Sequence, residues 1–277
     1  MTALHAIRAS IRLGVFLTVT MLCWPFYKYG RSQNIQRMIA SLWFRTVGHI
    51  IGVKLWTDGH ACHGKGPVLY VANHVSWLDI IVLGMKLDAV FVAKSDVADW
   101  PLLGRLARLR QCIFVSRKAA QVGKEAQIIR ICLEAGRNVI LFPEGTTGSG
   151  GGLLPFKSAL LGALDGVPYA RVQPVSIVYP DLENGGPDSS LAWFGDMAML
   201  PHLWSVLGRG RAMARMHFHA PLAASDFPCR KSLAEACRAH IAGGVGWLLA
   251  AAQSRDVEDL YDTAMLNPPP ARQSAAF

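Results

Sequence analysis

Residues 68–80, which read VLYVANHVSWLDI, decide the fold of this chain. The apolar residues 68–72 are typical of a strand buried in a parallel or mixed sheet, and a helix is predicted to begin near Ser76. His74 then lies at the carboxyl end of the strand, where open α/β sheets have their ligand sites. Asp79 follows, and a turn between the two residues allows its carboxylate to fold back onto the imidazole. The pattern therefore predicts a histidine general base that is oriented by a carboxylate.

A helix cap is a simpler interpretation of the same residues. Ser76 and Asp79 have the S-x-x-D spacing of a capping box, in which the side chains satisfy backbone N–H groups at the start of a helix. A histidine near an aspartate also occurs in purely structural roles. Spacing alone therefore leaves the catalytic and the capping interpretations open.

The composition narrows the range of partners. Of the 277 residues, 52% are hydrophobic and only 17% are charged, an apolar excess that favours contact with lipid. The formal net charge of +9 favours an anionic partner such as a membrane surface or a phosphate-bearing substrate. No signature of a nucleic-acid-binding module accompanies this charge, so we expect no nucleic-acid partner.

The cysteine and histidine spacing does not predict a metal site. The six cysteines are scattered without a C-x-x-C pair, which indicates reduced thiols in a cytosol-facing protein. His60, Cys62 and His63 cluster, but a structural zinc usually needs four ligands and no second pair has a suitable spacing. His217 and His219 share one face of a strand-like run, and the sequence indicates no partner for either.

The N-terminal region is predicted to form two apolar helices. The run 13–27 is almost uncharged and is flanked by basic residues, but it is shorter than the ~20 residues that span a bilayer. Residues 33–55 carry apolar side chains at helical spacing and are predicted to form an amphipathic helix. Two such helices suit a hairpin that enters one leaflet of a membrane; a helical pair packed on a soluble core is the alternative.

The remainder of the chain alternates between short strands and helices, with one helix predicted at 156–164. This pattern predicts an α/β fold with a central mixed sheet flanked by helices, preceded by the apolar two-helix hairpin. The predicted domains are a membrane-associating hairpin at 1–56, an α/β domain at 57–265 and a disordered tail at 266–277.

Several polar residues follow the predicted strands at one edge of the sheet. Arg117 ends one of these strands, and a guanidinium suits bidentate binding of a phosphate or a carboxylate. Lys94 and Lys157 are further candidate cations. Glu144 precedes Gly145 after another strand, where it can bond a substrate hydroxyl or close a tight turn. Because the carboxyl ends of parallel strands meet at one edge, these residues are expected to lie near His74.

Four ordered motifs resemble those of the glycerolipid acyltransferases, most closely the bacterial 1-acyl-glycerol-3-phosphate acyltransferases. The motifs are NHVSWLD at 73–79, FVSR at 114–117, FPEGT at 142–146 and, as a looser match, QPV at 173–175. The histidine and aspartate spacing alone is weakly specific. Combined with FPEGT about 65 residues further along, it is strongly specific.

The resemblance implies an O-acyltransferase that moves a fatty acyl group from acyl-CoA or acyl-carrier protein to the free hydroxyl of lysophosphatidic acid, giving phosphatidic acid. His74 is then the general base, Asp79 orients it, and Arg117 binds the substrate phosphate. The remaining substrate-binding residues are Glu144, Gly145, Thr146, Lys94 and Lys157. Backbone amides at the start of the helix after His74 are expected to stabilise the oxyanion. The resemblance implies no bound cofactor or metal.

The same resemblance implies a location and leaves other functions to be weighed. The expected location is the inner (cytoplasmic) membrane, with the active site facing the cytoplasm. The aromatic segment 193–204 resembles a subset of bacterial members, some of which acylate lyso-ornithine lipid, and this acceptor is the main alternative. A lipid hydrolase or a nucleophilic Ser76 is disfavoured because the chain has no G-x-S-x-G motif. A non-catalytic membrane-binding scaffold is disfavoured because the His74 and Asp79 pair is intact.

Overall fold

A computed structural model of the protein describes residues 2–30, 32–62, 66–100, 103–116 and 119–253. Its α-helices are α1 (Ala3–Tyr29), α2 (Gln33–Ile51), α3 (Leu78–Lys86), α4 (Leu103–Leu109), α5 (Val122–Glu134), α6 (Met199–Arg209) and α7 (Arg230–Gln253). Its strands are β1 (Val53–Asp58), β2 (Val68–Ala72), β3 (Val90–Lys94), β4 (Ile113–Val115), β5 (Val139–Leu141), β6 (Arg171–Val178), β7 (Ala212–Phe218) and β8 (Leu222–Ala223).

These strands form one mixed sheet. Its order is β1-β7-β6-β2-β5-β3-β4, with β8 paired beside β6. The strands from β6 to β4 in this order run parallel to one another, β7 and β8 run antiparallel to β6, and β1 runs parallel to β7. The prediction of a mixed sheet flanked by helices is confirmed. The parallel strands bring the ends of β2, β5, β3 and β4 to one edge.

Strand β2 is buried on both sides because helices cover both faces of the sheet. Val68, Tyr70 and Ala72 pack in the hydrophobic core beneath α1, α2, α3 and α6. Leu69 and Val71 point to the opposite core, beneath α5 and α7. The alternation of side chains along a strand thus divides an uninterrupted apolar run between two cores.

The N-terminal helices differ in length from those predicted. Helix α1 has 27 residues, and its stretch Ala3–Phe26 is long and apolar enough to cross a membrane by length and composition. Helix α2 ends at Ile51 rather than at residue 55, because Gly52 adopts a left-handed conformation with φ 83° and the chain enters β1 at Val53. Neither β1 nor α6 was predicted. The helix predicted at 156–164 is a 3₁₀ helix, Ser158–Leu164.

Two arginines of α1 join the hairpin to the remainder of the fold. Arg12 donates hydrogen bonds to the carbonyl oxygens of Ile51 at 3.0 Å and Gly210 at 2.9 Å, which terminate α2 and α6. Arg8 donates to the carbonyl of Gly208 at 3.2 Å. The carbonyl groups at a helix end have no partner within the helix, and cationic side chains satisfy them well. Basic residues that flank the apolar run therefore fix its position.

Helices α2 and α3 approach closely at two glycines. A Cβ atom at Gly48 would lie 2.5 Å from Sδ of Met85, and one at Gly84 would lie 2.5 Å from the ring of Phe44. Real Cβ atoms do not come so close to their neighbours, so a larger residue at Gly84 would displace the Phe44 ring and one at Gly48 would displace the Met85 side chain. The helix that carries Asp79 is thus packed directly on the second helix of the hairpin.

The outer face of the hairpin exposes a continuous series of large apolar side chains. On α1 these are Leu4, Ile7, Ile11, Val15, Leu17, Met21, Leu22, Phe26 and Tyr29, and on α2 they are Ile35, Met38 and Leu42. Large exposed apolar patches on a protein mark sites of contact with a membrane or another protein.

Candidate active site

His74 and Asp79 form a close pair at the carboxyl end of β2. The Nδ1 atom of His74 lies 2.7 Å from Oδ2 of Asp79. The carboxylate is fully buried, whereas the imidazole is partly exposed to the cavity described below. The His74 ring also stacks on Phe142, with 4.0 Å between ring centroids and an interplanar angle of 14°. The structure therefore brings together the two predicted catalytic residues and fixes the plane of the imidazole.

Asp79 also caps the turn between β2 and α3. Its Oδ2 atom accepts the backbone N–H groups of Val75 at 2.7 Å and Ser76 at 3.0 Å, in addition to the imidazole of His74. One oxygen therefore makes both the capping contacts and the contact to the imidazole, so the two interpretations do not exclude each other. These bonds engage the amides of Val75 and Ser76, so these two are not the oxyanion donors that we expected at the helix start.

Tyr179 completes the surroundings of Asp79. Its hydroxyl donates to Oδ1 of Asp79 at 2.7 Å, so both carboxylate oxygens accept hydrogen bonds. Burial, together with the neighbouring carboxylate, raises the pKa of Tyr179 well above its usual value. Tyr179 therefore stays a hydrogen-bond donor. Four hydrogen bonds thus replace the solvation that the buried carboxylate of Asp79 has lost.

Glu144 joins the loop of His74 to the loop that follows β5. Its Oε1 atom accepts the backbone N–H of His74, and its Oε2 atom accepts that of Leu154, both at 2.7 Å. Burial raises the pKa of Glu144, and these two hydrogen bonds oppose the effect. Both oxygens are thus engaged within the protein. Substrate binding by Glu144 stays a prediction, and the geometry assigns it a positioning contact to His74.

Asn73 fixes the same loop to the neighbouring strand. Its side-chain amide donates to the carbonyl of Ile177 and accepts the N–H of Ile177, each at 2.8 Å. This pair of bonds continues the contact of β2 with β6 for one residue beyond β2. Asn73 was part of a quoted motif, but the sequence suggested no role for it. Tyr179 and Phe142 were not recognised as parts of the site either.

A cavity of about 590 Å³ opens beside His74. One part of its wall is apolar and aromatic, with Trp43 and Phe44 from α2, Ile80 from α3 and Phe91 from β3. It extends across the carboxyl ends of the parallel strands, where open α/β folds bind their ligands. The cavity therefore connects a general-base candidate with an apolar compartment between the hairpin and the sheet.

The other part of the cavity wall is polar and contains most of the predicted substrate-binding residues. Lys94, Gly145, Thr146 and Lys157 line it. Lys94 forms an ion pair with Asp96. The Lys157 amine lies beside Gly145, since a Cβ atom on that glycine would be 3.1 Å from Nζ.

The predictions for Arg117 and for a metal site are not addressed by the contacts described above. Arg117 lies outside the described residues, although Ser116 before it is described. Across the described ranges, no group of three or more His, Cys, Asp or Glu side chains is arranged to hold a metal ion. His63 of the His60 cluster is also outside these ranges.

Known proteins resemble this chain in both sequence and fold. A sequence model of the acyltransferase family matches residues 34–178. A lyso-ornithine lipid O-acyltransferase of Rhodobacter capsulatus is 37% identical over 71% of this chain and 72% of its own. A 1-acyl-sn-glycerol-3-phosphate acyltransferase of Neisseria meningitidis is 31% identical over 65% of this chain and 71% of its own.

A solved structure has the same fold. The crystal structure of the 1-acyl-sn-glycerophosphate acyltransferase PlsC from Thermotoga maritima superposes with a TM-score of 0.62 and 19% identity, covering 87% of this chain and 97% of that one. The chain belongs to the acyltransferase family. It is an acyltransferase of the lysophosphatidic acid or lyso-ornithine lipid type.

Proposed function

We propose that the protein transfers a fatty acyl group from an acyl thioester to the free hydroxyl of lyso-ornithine lipid, with lysophosphatidic acid as the second candidate acceptor. The observation that carries the proposal is the buried Asp79, which accepts four hydrogen bonds and holds His74 at the mouth of an apolar cavity. Acyl-CoA and acyl-carrier protein are the candidate donors, and no bound cofactor is needed.

His74 acts as the general base in this proposal. Because Asp79 accepts a hydrogen bond from Nδ1, the other ring nitrogen, Nε2, is available to a hydroxyl in the cavity. Nε2 removes the proton as the hydroxyl oxygen attacks the thioester carbon, and Asp79 stabilises the imidazolium. The C–O bond forms, the C–S bond breaks, and the thiolate leaving group takes the proton back from His74. No covalent acyl-enzyme is formed.

The cavity supports two substrates with different requirements. Its aromatic and aliphatic wall, with Trp43, Phe44 and Ile80, suits a fatty acyl chain. Its polar part, with Lys94 and Lys157, suits an anionic group on the acceptor. Arg117 stays a predicted ligand of that anion, because a guanidinium binds a carboxylate as readily as a phosphate.

The similarity to named relatives supports lyso-ornithine lipid as the first candidate acceptor. At nearly equal coverage of the relative, the Rhodobacter capsulatus enzyme is 37% identical and the Neisseria meningitidis enzyme 31% identical. The aromatic segment 193–204 supports the same acceptor, because it resembles the segment of members that acylate lyso-ornithine lipid. This segment reaches the cavity wall, where Nε1 of Trp77 donates to His202 at 2.9 Å. Lysophosphatidic acid remains a candidate because of the FPEGT and FVSR motifs.

An acceptor screen with purified full-length protein in detergent tests the proposal. Thiol release from a long-chain acyl-CoA is followed with lyso-ornithine lipid or lysophosphatidic acid supplied separately, and again with acyl-carrier protein as donor. We expect turnover with lyso-ornithine lipid that H74A abolishes. Turnover with lysophosphatidic acid alone would reassign the acceptor and leave the chemistry intact. Full activity of H74A would refute the mechanism.

We also propose that the apolar hairpin, at 1–56 in the predicted domain division, attaches the α/β domain to the inner membrane with its active site towards the cytoplasm. The exposed apolar side chains of α1 and α2 and the +9 net charge support attachment to an anionic lipid surface. The predicted tail at 266–277 lies outside the described residues.

Vesicle flotation tests the membrane contact. Met21 and Leu22 are 76% and 65% exposed on α1, so M21E/L22E is expected to reduce binding to anionic vesicles about 10-fold or more. The matched control is I128E/I131E, which adds the same charges at exposed apolar positions of α5, on the other side of the sheet. Equal loss of binding in both variants would contradict the assignment to the hairpin.

A further inference from the structure

Glu125 is a buried carboxylate in the cavity wall that the proposed chemistry does not use. It lies in the first turn of α5, is only 5% exposed, and lines the same cavity as His74. Removing a carboxylate from water is costly unless a cation or several hydrogen-bond donors replace the lost solvation. The position of Glu125 therefore raises the question of what compensates its charge.

Hydrogen bonds within the protein account for one of its two oxygens. The backbone N–H and the hydroxyl of Ser116 both donate to Oε1, at 2.5 and 2.8 Å. For Oε2, the described part of the chain supplies neither a hydrogen bond nor an ion pair. Ser116 thus fixes the orientation of the carboxylate, and no cation among the described residues compensates the charge at Oε2.

The separation of the β2 and β4 ends is comparable to the length of an extended ornithine headgroup. Ser116 follows β4, three strands from β2 in the order β2-β5-β3-β4, which corresponds to about 14 Å at the usual strand spacing. Ornithine has no hydroxyl, so the acylated oxygen of lyso-ornithine lipid belongs to its amide-linked fatty chain. From a 3-hydroxyl on that chain to the side-chain amine is about nine bonds, or roughly 11 Å when extended.

We propose that Glu125 binds the side-chain ammonium of the ornithine headgroup while the acceptor hydroxyl lies at His74. This inference rests on the proposed function and names the subsite that recognises its acceptor. The ammonium compensates the charge at Oε2, and the headgroup carboxylate faces the cationic part of the wall at Lys94 and Lys157. A phosphate headgroup would meet a like charge at Glu125, so the same residue selects against lysophosphatidic acid.

The test compares wild type, E125Q and E134Q with three acceptors. The acceptors are lyso-ornithine lipid, its norvaline analogue, which differs only in lacking the amine, and lysophosphatidic acid. The amide of E125Q still accepts hydrogen bonds from Ser116 but carries no charge. E134Q removes an exposed carboxylate from the same helix and serves as the matched control. A thermal melt of each variant checks that it folds.

We expect E125Q to lower kcat/KM for lyso-ornithine lipid by about 10- to 100-fold, as for the loss of a charged hydrogen bond. It should leave the norvaline analogue unchanged and should not lower activity with lysophosphatidic acid. E134Q should match wild type with every acceptor.

Three results would overturn the inference in distinguishable ways. An equal loss with lyso-ornithine lipid and with the norvaline analogue would make Glu125 a support of the β4 end only. Unchanged activity of E125Q with lyso-ornithine lipid would remove Glu125 from the headgroup subsite and leave the proposed function standing. A wild-type enzyme that accepts only lysophosphatidic acid would overturn both the proposed acceptor and this subsite.

Discussion

Among the residues that the structure describes, two histidine–aspartate pairs have almost the same geometry and very different surroundings. Nδ1 of His74 lies 2.7 Å from Asp79, and Nδ1 of His217 lies 2.6 Å from Asp58. The second pair joins β7 to β1, whose register brings Asp58 opposite His217. The expectation that no residue pairs with His217 was wrong. By distance alone, either pair could be a catalytic dyad.

The two pairs differ in how the aspartate is held. The Asp79 side chain is fully buried and also accepts hydrogen bonds from two backbone amides and Tyr179, whereas the Asp58 side chain is 43% exposed. His74 faces the cavity, while His217 packs against His219 and Trp247 of α7. An exposed pair is screened by water and contributes little. A dyad is therefore better recognised by the donors around its carboxylate and by an adjacent cavity than by its histidine–carboxylate distance.

The largest expected difference between the pairs is in catalysis. Replacing the proposed general base in H74A is expected to lower kcat by at least about 10³-fold. H217A should stay within about twofold of wild type, because His217 is not among the residues that line the cavity beside His74. The comparison is made by measuring acyl transfer to the preferred acceptor by H74A and H217A. The two variants should have matched melting temperatures. Equal losses in the two variants would show that the surroundings do not distinguish the pairs.

Substitutions of the two aspartates should also affect kcat unequally, but the difference should be smaller than for the histidines. In the proposed mechanism D79N removes the charge that stabilises the imidazolium, so it is expected to lower kcat by about 10²- to 10³-fold. D58N breaks only a partly exposed pair and should change kcat by less than about twofold. Steady-state kinetics of both variants measures the ratio of their kcat values. A D79N enzyme with wild-type kcat would reduce Asp79 to a helix cap.

A substitution at Tyr179 measures how much the hydrogen bonds around Asp79 contribute to stability and to kcat. Y179F leaves Oδ1 of Asp79 without its donor and is expected to cost about 1–2 kcal/mol of unfolding free energy and about 5- to 20-fold in kcat. Tyr70 is a matched control, because it is equally buried and its hydroxyl makes only a 3.4 Å contact to Cys62. Denaturant titration and kinetics of Y70F should therefore show smaller losses. Equal losses would contradict the role of Tyr179.

The smallest expected effect on activity is at His219, beside the second pair. Burial, and then the nearby His217 and His240, lower the pKa of His219 to about 4. A depressed pKa contributes stability that is present above the unfolded value of ~6.5 and is lost as pH falls through the folded value. Near pH 4.5 the wild type should therefore have lost about 2 kcal/mol that H219Q retains.

The measurement is urea unfolding of wild type and H219Q at pH 7 and pH 4.5. H240Q replaces an exposed histidine that is the last of the three causes of the lowered pKa, so it should retain most of the wild-type pH dependence. Identical acid sensitivity of H219Q and wild type would mean that protonation of His219 is not linked to unfolding. Acyl transfer by H219Q at pH 7 should be unchanged.

Patterns within short stretches of sequence correctly predicted a buried strand and a helix cap. The apolar run 68–72 became the doubly buried β2, and the S-x-x-D spacing at Ser76 and Asp79 correctly indicated a cap. The features that were missed depend on contacts between residues far apart in the chain. Tyr179 meets Asp79 across 100 positions and His217 meets Asp58 across 159, and no periodicity or spacing encodes such pairings.

The boundary between α2 and β1 was also missed because it depends on a contact with a distant strand. Apolar residues after Gly52 fit a helix as well as a strand, and only the pairing of β1 with β7 decides in favour of the strand. The position of α1 depends likewise on distant carbonyl groups of α6, which accept hydrogen bonds from Arg8 and Arg12. The sequence showed these arginines only as flanking charges.

The close approach of α2 to α3 at Gly48 and Gly84 has a consequence for the proposed membrane contact, because a shift of α2 is expected to carry α3, and with it Asp79, along. If the hairpin enters a leaflet as proposed, its depth would set the height of His74 relative to the lipid headgroups. That height would in turn determine which hydroxyl along a lipid comes level with the imidazole.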